Sequence, residues 1–183
     1  MRYAPAEPRP VPDRLPGTRV PGHTECLAHL ADPDRAAYLA GLRPGADIDH
    51  RFTPFTHALL DALLDALRDP ATGHPRLGSA WFEAATFERD AGFESATFKG
   101  DAWFRAATFE RVAWFESATF ECADRLGPLV CVGRVNLSGA VFGAPVTLSI
   151  AARRLECRRT RWSSTAEVRL RYATVDFSHA VFE

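Results

Sequence analysis

The chain has 183 residues, 46% of them hydrophobic, and a formal net charge of −1. That length suits one good-sized domain with a buried core. So neutral a balance gives no general attraction to nucleic acid or to an anionic membrane. The cysteines Cys26, Cys122, Cys131 and Cys157 form neither a CxxC pair nor a disulfide framework, which fits a reducing compartment. No apolar run reaches signal-peptide length or the roughly 18 residues of a membrane span. The expected location is the cytoplasm.

Residues 1–22 are rich in proline and lack apolar periodicity, so they read as a flexible leader. Residues 23–79 read as a helical segment. Asp32-Pro33 has the form of an N-cap followed by proline, and Thr53-Pro54 repeats that signal. Leu59, Leu60, Leu63, Leu64 and Leu67 then share one helical face, and Pro70 and Gly73 end the element. Such a face needs a partner, and the open end of the following domain is the nearest candidate. His23, Cys26 and His29 stand three apart, but a structural zinc wants four ligands and no fourth is evident. No metal or cofactor is expected.

From Ala80 an A-x-F unit recurs, with phenylalanines at Phe82, Phe87, Phe93, Phe98, Phe104, Phe109, Phe115 and Phe120. The steps alternate five and six, so the period is 11 residues, and repeats this regular outrank local propensity. Steps of five and six do not hold one face of an α-helix. In extended backbone, however, Ala and Phe two apart point the same way. Each A-x-F is therefore a short strand with both residues inward. The polar or small residues after each Phe supply a corner. Strand and corner in alternation close a narrow coil, in which alanine leaves room for phenylalanine at the centre.

These eight units resemble the pentapeptide-repeat family. The resemblance implies an all-β solenoid, a right-handed quadrilateral β-helix, over 80–183, with the helical segment capping it. The lead-in and repeats together look like actinobacterial members of that family. The six-residue steps depart from a strict five and predict wider corners or bulges. A degraded ladder continues through Leu126, Val132, Leu137, Phe142, Leu148, Cys157, Trp162, Val168, Tyr172, Phe177 and Phe182. Val130, Val135, Ala140, Val146, Val175 and Ala180 are the small or β-branched residues two before. The reading gives about five coils, roughly 24 Å tall, with an irregular loop admitted over 149–167.

With about 22 residues per coil, Trp81 stacks beside Trp103, and Trp114 above Gly92 on the opposite face. Outward tryptophans mark either a partner site or a surface that the lead-in covers. Glu88 stacks on Glu110 and Glu94 on Glu116. The resemblance implies that such acidic columns could imitate DNA for DNA gyrase or another type II topoisomerase. Arg89 and Arg111 beside them, and the pairings Glu83–Arg105 and Lys99–Glu121, favour an ordinary salt-laced surface. Residues 80–123 hold eight acids and four bases, a difference of −4. Arg153, Arg154, Arg158, Arg159 and Arg161 have the opposite sign and suit phosphates or an acidic partner, although direct nucleic-acid binding is not expected without a recognition motif. No G-x-S-x-G, P-loop or GxGxxG occurs, and a solenoid offers no deep pocket, so no catalytic residue is assigned. The expected function is a non-catalytic interaction or scaffolding module with a protein partner. Because Ala180-Val-Phe182-Glu183 stays in register without a polar cap, either a homodimer through the C-terminal coil or a chain shortened relative to longer relatives is also expected.

Overall fold

The computed structural model describes residues 17–183. Most of the proline-rich leader therefore lies outside the described residues. The rest is a parallel β-helix of six rungs, entered through two helices.

Helix α1 (Asp32–Gly41) starts one residue earlier than its sequence signal suggests. Ala31 is the N-cap, and Pro33 stands in the first turn, where its missing N–H costs nothing. The first rung is β1 (Ile48–Asp49), β2 (Pro54–Phe55), α2 (His57–Ala66) and β3 (Arg76–Leu77). The Thr53-Pro54 signal does not open a helix. Thr53 is buried, Pro54 begins a strand, and the cap is Thr56, whose hydroxyl oxygen accepts from Leu59 N. The five leucines of α2 and its C-cap are all buried, as the periodicity predicts.

The second rung is β4 (Ala80–Trp81), β5 (Thr86–Phe87), β6 (Ala91–Gly92) and β7 (Thr97–Phe98). The third is β8 (Ala102–Trp103), β9 (Thr108–Phe109), β10 (Val112–Trp114) and β11 (Thr119–Phe120). The fourth is β12 (Arg125–Cys131), β13 (Arg134–Asn136) and β14 (Val141–Phe142), and the fifth β15 (Val146–Ala151), β16 (Arg154–Glu156) and β17 (Arg161–Trp162). The sixth is β18 (Ala166–Arg171), β19 (Thr174–Asp176) and β20 (Val181–Phe182).

Four parallel sheets result. The first face is β1-β4-β8, and the second β2-β5-β9-β12-β15-β18. The third is β6-β10-β13-β16-β19, and the fourth β3-β7-β11-β14-β17-β20. Helix α2 lies between β2 and β3 in the chain and packs against β6, so it takes the place of a third-face strand in the first rung. This is why the ladder starts at Ile48 rather than Ala80. Ile48 pairs with Ala80 and Pro54 with Thr86, 32 residues on, whereas Ala80 pairs with Ala102 and Thr86 with Thr108, 22 on.

The core is a set of aromatic stacks. Phe87 lies over Phe109 with centroids 4.5 Å apart, Phe93 over Phe115 at 5.1 Å and Phe98 over Phe120 at 5.0 Å. These are favourable parallel spacings, and each ring also buries a large apolar area. The five-residue steps cross tight turns, in which the N–H of Ala85, Ala96, Ala107 and Ala118 donates to the carbonyl of the phenylalanine three before. The residue before each alanine has positive φ: 52° at Ala84, 57° at Ser95, 56° at Ala106 and 58° at Ser117. That is the third position of a type II turn. The six-residue steps are the wider corners expected.

The rung changes at Gly127–Pro128. Leu126 pairs with Leu148 but Leu129 with Ile150, so two residues bulge opposite Ser149. A Cβ on Gly127 would stand 2.1 Å from Ser149 O, so only glycine fits. Above the bulge the first and second faces merge into the long strands β15 and β18, and the repeat contracts. Arg134 pairs with Arg154, and Arg154 with Thr174, each 20 apart.

The degraded ladder needs correcting where it leaves the alternation of six and five, since Cys131 pairs with Phe109. Cys131 takes the inward site, while Val130 and Val132 are exposed, Val132 at 53%. Tyr172 has φ 63° and turns outward, 94% exposed. Phe177 and Phe182 sit in register but exposed, Phe182 with its ring 5.8 Å from Trp162. The stretch 149–167 is no loop. Ile150, Ala152, Leu155, Cys157 and Trp162 carry the buried ladder straight through it.

Candidate interaction surfaces

Each face offers the outward residues of short strands, and the 22-residue register sets what lies beside what. On the first face Trp81 pairs with Trp103, next to Asp49 below. Trp81 is half-buried and Trp103 is 40% exposed. The neighbouring corner holds Glu83 and Arg105, 3.9 Å apart. On the third face Trp114 lies beside Gly92 and Asn136. The Arg134 guanidinium sits over its ring, 4.6 Å from the centroid, so the aromatic surface is covered from within the chain.

The acidic columns form as expected, but each is two carboxylates tall. Glu88 and Glu110 follow the paired Phe87 and Phe109 at the corner of the second and third faces, with Val132 and then Arg153 above. Glu94 and Glu116 occupy the tight turns between the third and fourth faces, followed by Ser138 and Arg158. Burial, with the charges of Glu116 and Asp61 close by, pushes the Glu94 carboxyl up. Asp61 is brought in by α2, whose His57 reaches it at 3.3 Å. Arg111 lies 3.6 Å from Asp90. No ion pair joins the register neighbours Lys99 and Glu121.

Higher on the third face stands a charge lattice that sequence reading did not assemble. Arg154 lies 3.0 Å from Glu156, and Arg158 lies 2.6 Å from Asp176. The bond from Ser178 and the Arg158 guanidinium hold the Asp176 carboxyl well below the usual carboxylate range. The recurrence of Arg134 with Arg154, and of Glu156 with Asp176, at 20 residues is the signal that would have shown it. A polar groove of about 750 Å³ runs along this corner between Glu116 and His179. Its charged walls are largely paired with one another.

Cys26 Sγ lies 3.0 Å from His29 Nδ1. Among the described residues no group of three or more His, Cys, Asp or Glu is arranged to hold a metal ion. Cys157 is buried in the inward ladder, and burial pushes its thiol up to about 12. The edge on which a C-terminal homodimer would form is built of Tyr172, Phe177, Val181 and Phe182, all exposed. No helix among the described residues is long and apolar enough to cross a membrane.

Residues 77–119 match the family model of pentapeptide repeats, nine copies. No curated protein matches the chain, and no solved structure does.

Proposed function

Because the chain belongs to the pentapeptide-repeat family, we propose that it is a non-catalytic interaction module that docks a protein partner on its first face. The observation that carries this reading is Trp103, a large aromatic held 40% exposed on a rigid ladder beside Trp81. Aromatic anchors on preorganised surfaces supply a large share of binding energy at protein interfaces. The adjacent Glu83 and Arg105 would form the polar rim. Trp114, already occupied by Arg134, is the internal control.

The test is affinity capture with the intact protein, Trp103→Ala and Trp114→Ala, each checked for an unchanged melting temperature. A defined protein retained by the intact chain and by Trp114→Ala but lost with Trp103→Ala supports the first face. Equal retention by all three would remove Trp103 from the site.

The DNA-mimic reading, directed at DNA gyrase, draws support from the net −4 of residues 80–123. Its weakness is that both acidic columns end after two carboxylates and give way to arginine. Unchanged gyrase supercoiling in the presence of excess purified protein would dispose of it.

A further inference from the structure

The third face is divided by charge along its height. Its lower half, with its two corners, carries six carboxylates (Asp61, Glu88, Asp90, Glu94, Glu110 and Glu116) against Arg89 and Arg111. The upper half carries five arginines (Arg134, Arg153, Arg154, Arg158 and Arg159) against Glu156 and Asp176. The net charges are −4 below and +3 above. Arg153 and Arg159 are exposed and make no ion pair among the described residues.

The division also holds corner by corner. Glu88 and Glu110 stand below Arg153 at one edge, with Val132 between. Glu94 and Glu116 stand below Arg158 at the other. A two-fold axis lying in the face, across the strand stack, exchanges top with bottom while keeping each edge on its own side. The face laid antiparallel on a copy of itself therefore sets Glu88 opposite Arg153 of the partner subunit, with Glu110 one strand away opposite Val132 of the partner subunit. At the other edge it sets Glu94 opposite Arg158 of the partner subunit and Arg159 of the partner subunit, with Glu116 one strand away opposite Ser138 of the partner subunit. Every such contact occurs twice, as an isologous interface requires. The axis falls midway along α2, β6, β10, β13, β16 and β19, between β10 and β13, where Arg134 lies over Trp114.

We propose that the third face is a self-complementary surface that pairs two copies of this chain side by side and antiparallel. The occupant is a second copy because its charge pattern is the one complement the chain itself displays. The face is about 24 Å tall at the strand spacing, so the contact belongs to the small class of interfaces, and electrostatics sets its strength. Association is strongest at low salt, where exposed charges are least screened. This proposal concerns a different face from the Trp103 site and stands or falls separately from it.

Sedimentation equilibrium of the intact chain at low and high salt is the first measurement. A dimer at low salt is expected, with the dissociation constant rising about tenfold or more at high salt. Two reversed copies follow. One carries Glu88→Lys, Glu110→Lys and Glu116→Lys; the other carries Arg153→Glu and Arg159→Glu. Each is expected to be monomeric by itself, and an equimolar mixture to give a heterodimer, which also shows that both fold. A monomeric intact chain at low salt overturns the proposal. So does a dimer that survives reversal, which would place association at the exposed edge of Phe177 and Phe182 instead.

Discussion

His50 occupies in the first rung the inward site that Phe82 and Phe104 fill above it, because Ile48 pairs with Ala80 and Ala80 with Ala102. It is fully buried, its Nε2 3.3 Å from the Tyr38 hydroxyl and its Nδ1 without a hydrogen bond. Burial lowers its pKa from 6.5 to about 4, opposed by the nearby Asp49 carboxylate. The folded imidazole is thus neutral where the unfolded one begins to protonate. Its contribution to stability is intact above pH 6.5 and is lost as pH falls toward 4, about 3 kcal/mol over that window. His50→Phe is expected to remove this slope and to raise stability at every pH, read from urea midpoints at pH 7 and pH 4.5. Parallel losses in both proteins would show that His50 is not the titrating group. Trp162 shows the opposite solution to a polar atom in the core. Its indole N–H donates to Thr160 Oγ1 at 2.9 Å, and the Thr160 hydroxyl donates to Cys157 O at 2.8 Å. Threonine stands where the repeat has alanine because a buried N–H left unpaired costs about 1–3 kcal/mol. Trp162 was legible as inward from the sequence. The need for Thr160 was not, because it follows from an atom that phenylalanine lacks.

Between residues, the tight turn is the element that sets the rung. Its third position is held at positive φ whatever residue stands there: Ser95 and Ser117 in the lower rungs, Gly139 at 72° and Arg159 at 56° above. The turns pass hydrogen bonds up the column, Ser95 N to Glu116 O and Ser117 N to Ser138 O, both 2.9 Å. Left-handed backbone costs an L-residue roughly 1–2 kcal/mol, and a β-branched side chain more. Ser117→Gly is therefore expected to raise the urea midpoint slightly, and Ser117→Val to lower stability by about 1–2 kcal/mol. Shifts of the same sign in both would count against the turn assignment. The sequence shows that a turn follows each phenylalanine, and the alternation of five and six shows that two corner types exist. Where that alternation is intact, every inward residue was legible. It runs on through Leu126 to Cys131, which pairs with Phe109 22 residues below, so the inward reading of Val132 is one residue out of step. It fails after Leu148, where β15 runs past the bulge without a turn and Ile150 and Ala152 take the next inward places. It also fails before Ala80, where ten residues of α2 separate Phe55 from Leu77 and hide a complete rung. The charge lattice of the third face was hidden for the same reason, since the 20-residue register exists only above the bulge.

At the scale of the whole molecule, each rung touches only its neighbours, so stability is a sum of rung terms and interface terms. Those terms are unequal. The second and third rungs carry four buried phenylalanines each and have covered faces on both sides. The first rung is seated on α2, which supplies buried leucines. Above the bulge the inward sites pass to smaller residues such as Cys131, Leu137 and Leu155, and in the sixth rung Phe177 and Phe182 remain exposed. Opening from the sixth rung breaks the fewest contacts, and each further rung costs more as the phenylalanine stacks are approached. Native-state hydrogen exchange is expected to show that gradient. The amides of Val181 and Glu183, bonded to Thr160 O and Trp162 O, should exchange first. Those of Cys157 and Arg159 should follow, and those of Phe93, Glu110 and Phe115 should exchange only with global unfolding. Truncating a ring in the protected region, Phe104→Ala, costs about 3–5 kcal/mol and should lower that ceiling without changing the order. One common rate across all six rungs would mean that the stacks couple the solenoid into a single cooperative unit, and that the interfaces outweigh the differences among the rungs. A gradient places the acidic half of the third face on the rigid rungs and its basic half on the yielding ones. Pairing two copies antiparallel would then brace each yielding end against a rigid one, and exchange in the upper rungs should slow as salt is lowered.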